Sequence, residues 1–197
     1  MLRRFFVVLT SGLVTTAALG TTAPLAEATE LSTSVVHNDG AGDVWKNGPR
    51  GEKVSFPPAD VTRVVVRHAT YSVRVRMRFV DLRRLGVQDY LVRINTSAGG
   101  DFVADIRSEP GILRQGTEFF DGRTNGCLGM THRISYATNV VRMRIPRSCL
   151  GRPRWVRAGI SNGLVPDADF NSDEFYVDNP HNHEAVNLAA TRRLYRG

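Results

Sequence analysis

Apolar residues alternate with arginine along residues 73–79, where Val73, Val75, Met77 and Phe79 oppose Arg74, Arg76 and Arg78. A period of two is the mark of a strand with one buried face. Residues 61–68 repeat it, with Val64, Val66 and His68 on one side and Arg63, Val65 and Arg67 on the other. A hairpin turning through residues 69–72 sets Val66 opposite Val75 and Val64 opposite Met77, so both apolar sets share one face. Residues 131–145 predict a second hairpin, with Ile134 opposite Met143 and Tyr136 opposite Val141 across a loop at 137–140. Tyr90-Val92-Ile94 and Phe102-Ala104-Ile106 predict strands flanking Gly99-Gly100. Val156-Ala158-Ile160 predicts another that ends before Asn162-Gly163. Short strands fit near Val54 and Phe119, and helical patterning is confined to weak candidates at 82–85 and 184–194. Residues 31–51, rich in Gly, Asn and Asp, read as an irregular lead-in. The pattern as a whole predicts an all-β fold, an antiparallel β-sandwich of either jelly-roll or immunoglobulin-like topology.

The chain start changes the picture of where this sandwich works. Arg3 and Arg4, an apolar stretch over 5–19 and Ala26-Glu27-Ala28 follow the order of a secretory signal peptide, so residues 1–28 are expected to be removed. The apolar stretch is too short and too rich in Thr, Ser and Gly for a membrane span. Residues 29–197 then suit a single domain with no further span. Cys127 and Cys149 are the two cysteines, and an even pair in an exported chain is expected to form a disulfide. The net charge is +7, carried almost wholly by arginine, since Lys46 and Lys53 are the lysines. Arginine is the side chain suited to forked contacts with phosphate and carboxylate, although composition by itself names no partner.

Three stretches carry a family likeness. They are Asp39, Gly42 and Asp43 in a D-x-x-G-D opening, an A-D-[IV]-T-R strand start at 59–63, and P-R-S-C-L-G-x-P-R-W-V-R complete at 146–157. Over roughly residues 36–160 the chain resembles a family of uncharacterised secreted actinobacterial proteins. The resemblance implies a secreted β-sandwich similar in build to carbohydrate-binding or DOMON-like modules, and implies no established activity.

Catalytic signals are sparse. Gly159-Ile160-Ser161-Asn162-Gly163 matches G-x-S-x-G, but Pro166 and acidic residues follow where a nucleophile elbow needs a helix, so a Ser-Asn-Gly turn is expected. His181-x-His183 could offer two imidazoles to a metal, yet after Pro180 it reads as a solvated loop. His68 and His132 fall on apolar faces and are expected to be hydrogen-bonded core residues. Two features bear on binding. Arg63, Arg67, Arg74, Arg76 and Arg78 share one sheet face, where facing like charges must be offset either by acids of a neighbouring strand, Asp105 being the candidate, or by an anionic ligand. Asp167, Asp169, Asn171, Asp173 and Asp178 offer oxygens at alternate positions, like the start of a calcium loop, but without its glycine, terminal Glu or flanking helices. The expectation is therefore a secreted, non-catalytic binding or structural protein of the cell surface or extracellular space. Its expected ligand is a glycan or anionic polymer rather than a specific nucleic acid, with a structural calcium ion at 167–178. A secreted hydrolase with a dispersed site is the alternative.

Overall fold

The computed structural model describes residues 31–48, 51–111, 113–121, 123–124, 126–167, 174–181 and 190–197. The proposed signal peptide lies outside them, as does most of the helical candidate at 184–194. From Leu31 to Gly197 the chain forms one compact unit. Among the described residues fourteen strands form: β1 (Ser34–Asn38), β2 (Val44–Lys46), β3 (Glu52–Val54), β4 (Val61–His68), β5 (Ser72–Phe79), β6 (Val87–Thr96), β7 (Asp101–Glu109), β8 (Leu113–Phe120), β9 (Arg123–Thr124), β10 (Thr131–Ser135), β11 (Val140–Pro146), β12 (Trp155–Val165), β13 (Tyr176–Asp178) and β14 (Leu194–Tyr195). All pairings are antiparallel. One sheet runs β1-β4-β5-β11-β10; the other runs β3-β2-β13-β12-β6-β7-β8-β9, with β14 also on β12.

The two sheets pack face to face because each has one apolar side. Val64, Val66, Val75, Met77 and Met143 of the first meet Tyr90, Val92, Ile94, Ile106, Ala158 and Ile160 of the second, all nearly inaccessible to solvent. Phe79 lies edge-on to Tyr90, ring centroids 5.8 Å apart, one of the contacts that lock the sheets together. A satellite cluster of Val44, Ala59, Leu164 and Tyr176 seals one end, where Phe56 stacks on Tyr176. The disulfide joins Cys127 and Cys149 with Cα atoms 5.6 Å apart, bracketing the β10–β11 hairpin.

The β4–β5 register is the expected one, Val66 opposite Val75 and Val64 opposite Met77. The second hairpin is shifted by two residues, Ile134 facing Val141 and His132 facing Met143. Tyr136–Thr138 winds into a single 3-10 turn closed by Asn139 at φ 53°, which shortens the loop. A shift of two keeps every side chain on its own face, so alternation alone does not detect it. The Asn139 side chain also accepts from the Leu82 amide and donates to Val80, fixing the bend after β5, and 82–85, where a helical turn was expected, carries no regular structure.

Residues 31–51 are not irregular throughout: β1 extends the first sheet along β4, and β2 sits between β13 and β3. Their brevity and the Gly/Asn/Asp turn between them hide the alternation. Likewise β12 does not end before Asn162-Gly163 but runs on to Val165, because β6 and β13 supply ladder partners on both sides. Asn162 is fully buried and donates to the Ala59 carbonyl at 3.1 Å, so its turn preference is overridden by tertiary bonding.

Candidate functional site

The outward side of the five-stranded sheet is a lattice of guanidinium groups. Arg63 and Arg67 project from β4, Arg74, Arg76 and Arg78 from β5, Arg142 and Arg144 from β11, and Arg133 from β10; all eight are exposed. Their places follow from the pleat, since the residues between them fill the core. The register puts arginine opposite arginine at Arg63/Arg78, Arg67/Arg74, Arg76/Arg142, Arg74/Arg144 and Arg133/Arg142. Spacing along a strand is about 7 Å between same-face residues and about 5 Å between strands, so the lattice is dense. Each facing like-charge pair is unfavourable by roughly a few tenths of a kcal/mol.

Among the described residues no carboxylate forms an ion pair with any of the eight. The remaining outward positions of β1 and β10 are Ser34, Val36, Asn38, Thr131 and Ser135, none of them acidic. Asp105, the expected neutralising acid, lies on β7 in the other sheet, between Leu91 and Phe119. The outer face of that second sheet shows the opposite arrangement. There Arg93 bonds Asp101 and Arg107 bonds Asp89 at 2.7 Å, so its charges are paired across strands. One sheet face thus carries cross-strand ion pairs, and the other a lattice of arginines without a paired acid among the described residues.

The arginine face is shaped as well as charged. An open depression of about 610 Å³ is bordered by Arg67, Arg74, Arg76, Arg133, Arg142 and Arg144. A second, of about 550 Å³, begins at Arg144 beyond the β4–β5 turn and includes exposed Tyr71, Arg147, Arg152 and Arg196. No aromatic residue stands among the arginines of the lattice itself, so it lacks the platforms on which bases stack. Arg133, Arg142 and Arg144 join the five arginines of β4 and β5 in the site. Their signal is the alternation of 131–135 and 140–146 with apolar residues, which becomes a site contribution only once β11 is known to pair with β5 and with β10.

Of the calcium-loop candidates, Asp169, Asn171 and Asp173 lie outside the described residues, and Asp178 is among the described ones. It sits in β13, buried, accepting the Val61 amide at 2.6 Å. Burial, reinforced by the charges of Asp39, Asp43 and Asp60, pushes its carboxyl up to about 8. His181 is not solvated but half-buried, its ring stacked on His37 with centroids 4.8 Å apart. Burial and the neighbouring His37 push it down to about 4. His183 is outside the described residues.

His68 is fully buried with Nδ1 2.9 Å from the Leu194 carbonyl, and burial lowers its basicity. His132 Nδ1 lies 2.6 Å from Glu118 of β8, a bridge between the two sheets. The G-x-S-x-G match is neither an elbow nor a turn: Ser161 is a mid-strand residue of β12 opposite Leu91. Among the described residues no helix is long and apolar enough to cross a membrane. No family model, no curated protein and no solved structure matches the chain.

Proposed function

We propose that this chain is an exported, non-catalytic binding protein whose arginine sheet face holds an anionic polymer of the cell surface or its surroundings, such as a phosphate- or uronate-bearing glycan. The observation that carries the reading is the set of eight exposed arginines facing one another without acids among the described residues. A folded domain tolerates such repulsion at a cost in stability, and a polyanion laid across the strands would relieve it. Guanidinium groups suit that role because each can fork onto phosphate, sulfate or carboxylate oxygens. The four arginine-bearing strands present a width of about 14 Å, enough for several repeating charges of one chain. Export is supported by the order of residues 3–28 and by a disulfide that persists in oxidising compartments. The family likeness at 146–157 points the same way, toward a secreted sandwich related in build to binding modules.

Calorimetric titration with a polyglycerol phosphate, a polyuronate and a neutral glucan tests the reading. Binding of at least one polyanion, weakening steeply with added salt as counterions lose their advantage, is the expected result. The triple variant Arg74→Ala/Arg76→Ala/Arg142→Ala should lose at least tenfold in affinity while keeping its fold. Equal binding of the neutral glucan, no binding of either polyanion at low salt, or full affinity in the triple variant would overturn it.

A further inference from the structure

The turn from β1 to β2, the entry to β4 and strand β13 bring four acids together at the end of the sandwich where β4 begins and β5 ends. Asp39, Asp43 and Asp178 each offer a carboxylate oxygen within 4.8 Å of the others. Their placement is fixed from the backbone. Asp39 donates its amide to the Thr62 carbonyl at 2.9 Å, Asp178 accepts the Val61 amide, and Gly42, at φ +85°, folds the turn so that Asp39 and Asp43 come to one side. A left-handed position of this kind is one glycine adopts without strain.

Asp60 supplies an independent sign that the cluster is built for something. It is only 1% exposed. One carboxylate oxygen accepts the Gly42 amide at 2.6 Å, so the group lies against the turn that carries Asp39 and Asp43. Its other oxygen, Oδ1, is buried with no hydrogen-bond partner. Its charge is felt at Asp178, and that of Asp43 is felt at Asp60, so the four acids form one electrostatic unit. A buried carboxylate oxygen left without a donor is costly, and a carboxylate held among like charges more so.

We propose that Asp39, Asp43 and Asp178, with Asp60 beside them, bind one calcium ion that ties the β1–β2 turn, the start of β4 and β13 to one another. The donor set is oxygen only, which selects a hard cation over zinc or copper. Several carboxylates drawn from a turn and a strand suit the larger, more flexible shell of calcium better than the strict octahedron of magnesium, which keeps its waters. The site is distinct from the 167–178 loop expected from sequence spacing and shares with it Asp178 alone.

The purified chain, stripped with a chelator, is titrated with calcium chloride and separately with magnesium chloride by calorimetry, and melted with and without each ion. One calcium per chain, a raised melting temperature and at least tenfold weaker magnesium binding are expected, since an ion that binds only the folded state stabilises it. Asp43→Asn should weaken calcium by at least tenfold. Asp178→Asn should abolish the calcium response while melting no lower than the stripped wild type, because the amide keeps the carboxyl's shape and its oxygen can still accept the Val61 amide. That variant separates loss of a ligand from loss of the fold. Asp167→Ala should bind as wild type does. No heat and no melting shift at millimolar calcium, equal affinity for magnesium, or an undiminished calcium response in Asp178→Asn would overturn the site. Polyanion binding by the arginine face is read in separate titrations, so either assignment can fail alone.

Discussion

Asp105 shows how a single side chain can govern stability across an ordinary pH range. It lies on β7 between Leu91 and Phe119, with Oδ1 buried and unpartnered. Burial first, and then the charge of Asp89, push its carboxyl up to about 7, against the opposing pull of Arg107. An unfolded aspartate titrates near 4, so between about pH 4 and 7 the folded chain holds a proton there that the unfolded chain has released. Stability contributed by this group is therefore full below about pH 4, falls as pH rises, and levels off above about 7, a loss on the order of a few kcal/mol. Asp105→Asn should match wild type near pH 4 and melt higher at pH 8, the difference opening between those values; parallel melting curves for the two proteins would rule this out. None of it was readable from the sequence. Alternation assigned Asp105 to a polar face, which is correct, but whether such a face lies in water depends on the neighbouring strands, which here set Leu91 and Phe119 on either side of it. The inward placement of His68, by contrast, followed from its parity with Val64 and Val66.

At the scale of strands, the lattice sets binding against folding. Arg76 stands at the middle of β5, facing Val65 on β4 and Arg142 on β11. Arg76→Glu would convert its contact with Arg142 into an attractive pair and give Arg74 and Arg78 an acid at the intervening position. We expect the variant to melt higher than wild type at low ionic strength, by roughly 0.5–1 kcal/mol in stability, with the gain shrinking as salt screens it. The same change should weaken polyanion binding, the familiar exchange of function for stability. A variant that melts lower at low salt would show that the arginines are offset in some other way. The strand faces were legible because a two-residue period survives every even shift of register, which is why the arginines of β4 and β5 could be assigned to one surface beforehand. The pairing of β11 with β5 was not legible: strands separated by some sixty residues meet through core packing, and no local pattern states which edge a hairpin will choose. Three of the eight lattice arginines, Arg133, Arg142 and Arg144, were hidden for that reason.

For the whole molecule, alternation and turn chemistry were enough to foresee two packed antiparallel sheets, and two cysteines in a chain whose start follows the order of a signal peptide were enough to expect the bridge. The acidic cluster was not foreseeable, since Asp39, Asp43, Asp60 and Asp178 meet only because β13 inserts between β2 and β12 and Asp178 captures the Val61 amide. The bridge itself has a location with consequences. Cys127 precedes β10 and Cys149 lies in the 3-10 turn Arg147–Leu150 after β11, so the disulfide fastens both ends of the hairpin that forms one edge of the arginine sheet. Strand β10 has a ladder partner on one side alone, with the His132–Glu118 contact as its link to the opposite sheet. Reduction would return about 3 kcal/mol of chain entropy to the unfolded state, which for a domain of this size lowers the melting temperature by roughly 10 °C. The loss should be uneven in its local effects. Hydrogen exchange in Cys127→Ser/Cys149→Ser should show the amides of β10 opening first, while β4 and β5, paired on both sides, keep protection close to the reduced global limit. Because Arg133 rides on β10, polyanion affinity should fall modestly in the same variant, and less than in the triple arginine variant. Uniform exchange across all five strands, or an unchanged melting temperature, would show that the bridge does not hold this edge.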